Sequence, residues 1–97
     1  MVSRTKRVAA RKGAALLHLV ASPTRILILG FLAARKNAYV GEIAKHLGMT
    51  QSAVSHQLGL LAGSSVVVFK REGRMARYAM ARTPAAQLVS RALKTLV

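Results

Sequence analysis

Six polar side chains lie between positions 50 and 57, and their types suit hydrogen bonding to a nucleic acid. Gln can pair with adenine through two hydrogen bonds, and Ser can bond either to base edges or to phosphate oxygens. A polar helix face that only contacts solvent is the simpler interpretation of the same residues. The candidates for base-edge or phosphate contact are Thr50, Gln51, Ser52, Ser55 and His56, with Gln57 as a weaker flanking candidate.

Four cationic side chains follow within eight positions, at Lys70, Arg71, Arg74 and Arg77. Lys and Arg neutralise phosphates, and Arg also enters a narrow minor groove. The alternative is that these cations only keep an exposed strand soluble. Glu72 lies among them, and we expect it to sit in a turn and to moderate the local charge.

The composition favours a polyanionic partner and excludes most catalytic chemistry. The 97 residues carry 16 Lys and Arg against only Glu42 and Glu72, for a net charge of +14. Paired-carboxylate catalysis, carboxylate-rich metal sites and acid-oriented triads all need more acids. The chain has no Cys, which excludes thiolate metal sites and thiol redox switches. Because His18, His46 and His56 fall on three different predicted helices, we expect no metal, no cofactor and no catalytic site.

Two short helices joined by a tight turn are predicted over residues 40–62, and they would position the polar residues. Apolar residues recur with helical spacing over 40–47, and Gly48 follows as a natural C-terminal stop. Thr50 can cap the next helix, from Gln51 to about Ala62. An earlier helix, with Ser22 as its cap and Pro23 at its first position, should run to about Arg35.

The second helix of this pair has one apolar face and one weak half. Val54, Leu58 and Leu61 share a face at helical spacing, which leaves the polar residues on the opposite side. Gly59 and Gly63 each weaken the helix by about 1 kcal/mol relative to Ala. We therefore expect an early end or a mobile second half.

Strand character replaces helical character after position 65. The β-branched and aromatic residues at 66–69 and the alternation at 75–80 predict a hairpin wing over 66–80 that turns at Glu72-Gly73. Thr83-Pro84 then begins a last helix, residues 84–97. The chain is thus predicted to be a single domain, residues 1–97. It is mainly α with a β-hairpin wing, a winged helix-turn-helix in the order α-α-α-α-β-β-α.

The first and last helices carry apolar stripes that are too extensive for the surface of a monomer. A domain of this size buries only about 60–65% of its unfolded surface. We therefore expect so apolar a chain to cover its remaining apolar surface in the interface of a homodimer. The competing interpretation is that the stripes cover the core of the monomer itself. The predicted interface residues are Leu16, Leu17, Leu19, Val20, Leu88, Val89, Ala92, Leu93 and Leu96.

Residues 1–12 carry five cations, which form either a disordered basic arm or the solvated start of the first helix. A signal peptide or an organellar presequence fits less well, because the apolar part is short and contains His18. Since no apolar stretch reaches the length of a membrane span, we expect no membrane partner and a cytoplasmic protein.

Four segments carry a resemblance to a known family. They are Ser22-Pro23-Thr24-Arg25, Val40-Gly41-Glu42-Ile43-Ala44, the run from Leu47 to His56, and Arg71-Glu72-Gly73-Arg74. Over about residues 14–82, without a gap, the chain resembles the ArsR/SmtB-type bacterial transcriptional repressors. The resemblance implies a homodimer joined through its first and last helices. It also implies binding to palindromic operator DNA near the protein's own promoter, and release on a signal.

The chain departs from that family where its members sense metals or thiols. Tyr39-Val40-Gly41 stands where some metal-sensing members place a Cys-Val-Cys-type pair. Other members place paired acids and histidines on the last helix, but residues 83–97 contain no Asp, Glu, His or Cys. Gly59 stands where a Lys is usual, and Ser64-Ser65-Val66 replaces the usual Ala-Gly-Leu. The releasing signal stays open between a small organic ligand, a partner protein and no effector at all.

The sequence therefore predicts a transcriptional regulator rather than an enzyme. It would bind double-stranded DNA sequence-specifically as a dimeric repressor, at the bacterial or archaeal nucleoid. The alternative is a basic architectural DNA-binding or RNA-binding protein that uses the same fold without a regulatory ligand. The net charge of +14 favours that alternative, but such a protein has no need for a polar, base-reading helix face.

Overall fold

The computed structural model describes residues 1–96, which form five helices and a three-stranded antiparallel sheet. Val97, the last residue of the predicted helix 84–97, lies outside the described residues. The elements are α1 (Arg4–Val20), α2 (Pro23–Ala33), β1 (Ala38–Tyr39), α3 (Val40–Leu47), α4 (Gln51–Gly63), β2 (Val67–Glu72), β3 (Met75–Met80) and α5 (Pro84–Leu96).

The core forms around α2, whose start follows the predicted signals. Ser22 Oγ accepts a hydrogen bond from the Arg25 N–H, and Pro23 occupies the first turn. The helix buries Ile28, Leu29 and Leu32 completely. Buried side chains from α3, α4, α5 and the sheet belong to the same cluster, so one core holds the polar helix and the wing in place.

A two-residue strand, β1, was not predicted from the sequence. It pairs with β3, which gives the strand order β1-β3-β2 with Ala38 opposite Tyr78 and Tyr39 opposite Arg77. Two residues are too few to show a strand period, and their partner strand lies far along the chain, so no local pattern indicates the pairing. This pairing ties the start of α3 to the wing.

The wing turns one residue later than the sequence predicted. Glu72 still pairs with Met75, so the turn consists of Gly73 and Arg74 rather than Glu72 and Gly73. Gly73 has φ 63°, in the left-handed region that a tight hairpin turn uses and that glycine adopts without steric cost.

The bounds of three helices also test the sequence predictions. The basic N-terminal segment is the start of α1 rather than an arm, with Ser3 Oγ accepting from the Lys6 N–H at 3.1 Å. Helix α2 ends at Ala33 rather than Arg35. Helix α4 does not end early at Gly59; it continues to Gly63, because Leu58 and Leu61 on its inner face are fully buried.

Candidate nucleic-acid interface

The tight turn between α3 and α4 sets the direction of the polar helix. Gly48 adopts the left-handed conformation, φ 66° and ψ 34°, as expected of a residue that ends a helix. The Met49 N–H bonds back to the Ala44 carbonyl at 2.9 Å. Thr50 caps α4, its Oγ1 accepting from the Ala53 N–H at 3.1 Å. The predicted cap, turn and stop are therefore all present.

Helix α4 buries one face and exposes the other, as the sequence predicted. Val54, Leu58 and Leu61 are completely buried. The four principal candidates for base contact lie exposed on the first half of the helix, at Gln51, Ser52, Ser55 and His56.

Gln51 is close to the first turn of α3. A Cβ added to Gly41 would come within 3.3 Å of Gln51 Nε2. The lack of a side chain at Gly41 therefore leaves room for Gln51 beside α3, at the edge of the exposed face.

A cleft of about 500 Å³ separates α4 from the wing and brings both predicted DNA-contacting groups together. Gln51, Ser52 and Ser55 line it on the helix side, and Arg71 and Arg74 line it on the wing side. The described residues that line the cleft include no acid. Hydrogen-bonding groups and cations therefore share one concave surface.

The four wing cations do not all face this cleft. Lys70 alternates with Arg71 along β2 and so points to the opposite side of the sheet, where Arg77 lies across from it on β3. Lys70 is exposed, whereas Arg77 is half-buried. Only Arg71 and Arg74 combine exposure with a position beside the polar face of α4.

Arg77 is held by its neighbours rather than left free for a phosphate. Its Nη2 donates to Glu72 Oε2 at 2.9 Å and to the Tyr39 hydroxyl, and its guanidinium lies 4.8 Å from the centroid of the Tyr39 ring. The Tyr39 hydroxyl in turn donates to Glu72 Oε2 at 2.7 Å. We call Tyr39, Glu72 and Arg77 the wing clamp, because they join the wing to the residue that precedes α3.

The wing clamp favours the charged forms of its two ionisable partners. The hydrogen bond from Tyr39, followed by the charge of Arg77, lowers the pKa of the Glu72 carboxyl below its ordinary value. The same hydroxyl and the Glu72 carboxylate raise the pKa of Arg77. Glu72 moderates the local charge as expected, but it does so from the end of β2 rather than from the turn. Sequence reasoning did not identify Tyr39, whose role depends on the pairing of β1 with β3.

Gln57 of α4 is half-buried, and its side chain already has a hydrogen-bond partner within the protein. Its Oε1 accepts a hydrogen bond from Arg25 Nε at 2.7 Å. Arg25 Nη1 donates to the Leu19 carbonyl at 2.7 Å, so this side chain links α4 to the end of α1. No local signal in the sequence indicated this role of Arg25, whose guanidinium is a partly buried connection between three helices.

An apolar groove runs between α1 and α5 and contains eight of the nine residues predicted for a dimer interface. They are Leu16, Leu17, Val20, Leu88, Val89, Ala92, Leu93 and Leu96. Leu19 lies in the adjoining surface depression with Leu16 and Leu88.

Two of these nine residues belong to the core of the protomer itself. Val89 is 4% exposed and Leu93 is 6% exposed. The expectation that they would mainly meet a symmetry mate is therefore wrong, since both are already covered within one chain. Leu17, Leu88 and Leu96 remain more than half exposed.

The three histidines lie apart, on α1, α3 and α4. Within residues 1–96, no group of three or more His, Cys, Asp or Glu side chains is placed to hold a metal ion. In the same range, no single helix has both the length and the hydropathy to cross a membrane. Arg4–Val20 and Pro23–Ala33 meet that criterion only when joined, across a 91° bend.

Known proteins are similar to this chain in both sequence and fold. Residues 22–64 match the family described as "Bacterial regulatory protein, arsR family". The HTH-type transcriptional regulator NmtR of Mycobacterium tuberculosis is 41% identical over 86 residues, which are 88% of this chain and 70% of NmtR. CmtR of Mycobacterium bovis, also an HTH-type transcriptional regulator, is 47% identical over 72 residues, which are 74% of this chain and 57% of CmtR.

Solved structures of similar proteins have the same fold as this chain. The transcriptional repressor BigR from Xylella fastidiosa superimposes with a TM-score of 0.82 at 32% identity, covering 95% of this chain and 89% of BigR. Reduced HlyU from Vibrio cholerae gives a TM-score of 0.83 at 26% identity, covering 97% of each chain. The predicted winged helix-turn-helix fold is confirmed. The chain belongs to the ArsR family of DNA-binding transcriptional regulators, which are not enzymes.

Proposed function

We propose that this protein is a repressor that binds a palindromic operator as a homodimer. The observation that carries the proposal is the cleft in which the polar face of α4 meets Arg71 and Arg74. One surface then offers groups that distinguish bases and groups that neutralise phosphates, the two kinds of contact that sequence-specific binding requires. Such a regulator would work in the cytoplasm, on DNA of the nucleoid.

Helix α4 is the recognition helix in this proposal. Its exposed first half enters the major groove, where Gln51, Ser52, Ser55 and His56 contact base edges or nearby phosphates. Thr50 adds a phosphate contact at the N-terminus of the helix, which attracts anions through its free N–H groups. Gln57 is a weaker candidate than the others, since Arg25 already holds its oxygen.

The wing supplies the backbone contacts. Arg71 and Arg74 are exposed beside α4 and contact phosphates that flank the bases, and Lys70 reaches the backbone from the other side of the hairpin. We assign Arg77 a positioning role, because Glu72 compensates its charge and the wing clamp fixes its place.

A second protomer covers α1 and the outer face of α5 in this proposal. Helix α1 has 17 residues and buries none of them within the protomer. Leu17, Leu88 and Leu96 are 63%, 54% and 71% exposed beside one groove. Burying a leucine side chain fully contributes about 1.5–3 kcal/mol, so covering these three favours association strongly. A two-fold symmetric dimer would place its recognition helices in successive major grooves of a palindrome.

The proposed repressor works without a metal or a thiol switch. The chain has no Cys, and the described residues provide no metal-binding cluster. The names of relatives favour repression, since BigR is described as a transcriptional repressor.

Binding to two DNA fragments tests the proposal. The fragment upstream of the protein's own coding sequence and a scrambled fragment of equal length are titrated at about physiological salt. The proposal expects the upstream fragment to bind about 10³-fold or more tightly, as specific regulators do. Equal affinity would instead favour a basic architectural protein, which the five cations within residues 1–12 also suit. Sedimentation at tens of micromolar tests the dimer, and a persistent monomer would contradict it.

A further inference from the structure

A second groove, of about 620 Å³, lies between α2, the end of α3 and α5. It has no lining residue in common with the cleft between α4 and the wing. Its volume is within the range of about 300–1,000 Å³ that is typical of small-molecule sites. We propose that this groove binds a small amphiphilic organic anion, an aromatic carboxylate or sulfonate.

The base of the groove is apolar and largely preformed. Phe31 and Leu93 are buried at the base, and Ile26 and Leu47 are half-buried beside them. Leu27 lines the groove although 58% of its surface is exposed. A ligand with an apolar ring would cover this leucine and remove its surface from water.

Two cations and one imidazole ring line the edge of the apolar base. The Arg35 guanidinium lies 4.0 Å from the centroid of the Phe31 ring, and the His46 ring lies 4.7 Å from the same centroid. Lys94 of α5 lines the groove as well. This arrangement places the charges of Arg35 and Lys94 beside an apolar surface, which complements a ligand with an apolar ring and an anionic group.

No acidic side chain among residues 1–96 competes for these cations. Glu42 accepts from the backbone N–H of Tyr39, and Glu72 is part of the wing clamp. The salt bridge found within the described residues joins Arg77 to Glu72, not Arg35 or Lys94 to a carboxylate. The charge at the rim is therefore available to an anion from solution.

Gly30 keeps the groove open. It lies inside α2, where glycine costs about 1 kcal/mol relative to alanine, and it lines the groove. A Cβ at this position would meet no atom within 4 Å. A larger residue would thus extend into the groove without a clash at its Cβ and would improve the helix propensity of α2.

Residues of the helix-turn-helix also line the groove. His46 and Leu47 belong to α3, which precedes the recognition helix, while Ser90 and Leu93 belong to α5. An anion bound here would touch the helix-turn-helix and the last helix at the same time. The binding proposal itself does not depend on DNA, so it can fail or succeed independently of the proposed repressor function.

Two matched fluorescent probes test the site on the full chain. 1-Anilinonaphthalene-8-sulfonate carries an anionic group, and N-phenyl-1-naphthylamine has the same rings without it. Gly30→Leu should weaken binding of both probes at least tenfold, because the new side chain occupies the groove. Gly59→Leu is the control, since it adds the same side chain at an exposed α4 position that does not line the groove.

A charge variant separates the rim from the base. Arg35→Gln should weaken binding of the sulfonate about fivefold and leave the uncharged probe unchanged. The proposal is overturned if Gly30→Leu binds the sulfonate as tightly as Gly59→Leu, or if Arg35→Gln affects both probes equally. It is also overturned if Gly30→Leu changes the sedimentation coefficient and not probe binding, because a second copy would then occupy the groove.

Discussion

Removing the two wing cations that face α4 should weaken the salt dependence of operator binding by a calculable amount. Arg71 and Arg74 are exposed and line the cleft, so each is expected to neutralise one phosphate. Each neutralised phosphate contributes about −0.9 to the slope of log K against log salt concentration. A dimer would carry four such contacts, and the double variant Arg71→Gln/Arg74→Gln should therefore lose about 3.6 from the slope.

This change in slope is large enough to measure by fluorescence anisotropy. Between about 50 mM and about 200 mM salt, the wild-type protein should lose about 150-fold more affinity for a labelled operator than the double variant loses. Measurements at several salt concentrations separate this effect from a simple loss of affinity. Stability should change little, because neither Arg71 nor Arg74 is buried.

A second double variant controls for net charge. Lys36 and Arg91 are exposed and do not line the cleft, so Lys36→Gln/Arg91→Gln removes the same charge from a different surface. Its slope should stay close to that of the wild-type protein. Equal changes in the two double variants would show that binding depends on total charge rather than on the wing.

Three further predictions concern stability and assembly. Ser65 has φ 62°, a left-handed conformation that costs a non-glycine residue about 1–2 kcal/mol. After the greater backbone entropy of glycine is subtracted, Ser65→Gly should stabilise the protein by about 0.5–1 kcal/mol in urea unfolding. The control variant Ser64→Gly, at φ −102°, should destabilise the protein instead. The lowered pKa of Glu72 stabilises the fold above the carboxyl's unfolded pKa, and this contribution is lost as the pH falls through the lower folded pKa; Glu72→Gln should flatten that acidic part of the stability profile, and an unchanged profile would argue against the wing clamp. Leu17→Glu and Leu88→Glu should each shift sedimentation from dimer to monomer with the helical circular dichroism largely retained, and a dimer that persists in both would locate the interface elsewhere.

The fold could be predicted from the sequence wherever a local signal determined the structure. Pro23, Gly48 and Thr50 mark helix ends through their own backbone and capping preferences, and all three do so in the structure. The buried face of α4 followed from the spacing of Val54 and Leu58. Ser65 is an instructive departure, because it adopts a left-handed conformation at the position where the resembling family usually has glycine.

The rest depended on contacts between distant parts of the chain. Tyr39 and Glu72 are 33 positions apart and meet only because β1 pairs with β3. Arg25 of α2 and Gln57 of α4 are 32 positions apart and meet only in the folded chain. No local pattern distinguishes such a held side chain from an exposed one, which is why the sequence did not indicate the role of Arg25 and grouped Arg77 with the exposed wing cations.

The variant Gln51→Ala tests whether the first turn of α4 reads the bases of the operator. The measurement is the ratio of affinities for the operator and for a scrambled fragment at fixed salt. Loss of a base contact worth about 1–3 kcal/mol in each of the two half-sites should lower this ratio by about 30-fold to about 10⁴-fold and leave the affinity for the scrambled fragment unchanged. Gln87→Ala, at an exposed position of α5, should leave both affinities unchanged. A specificity ratio in Gln51→Ala equal to that of the wild-type protein would contradict the claim that this face of α4 reads the bases.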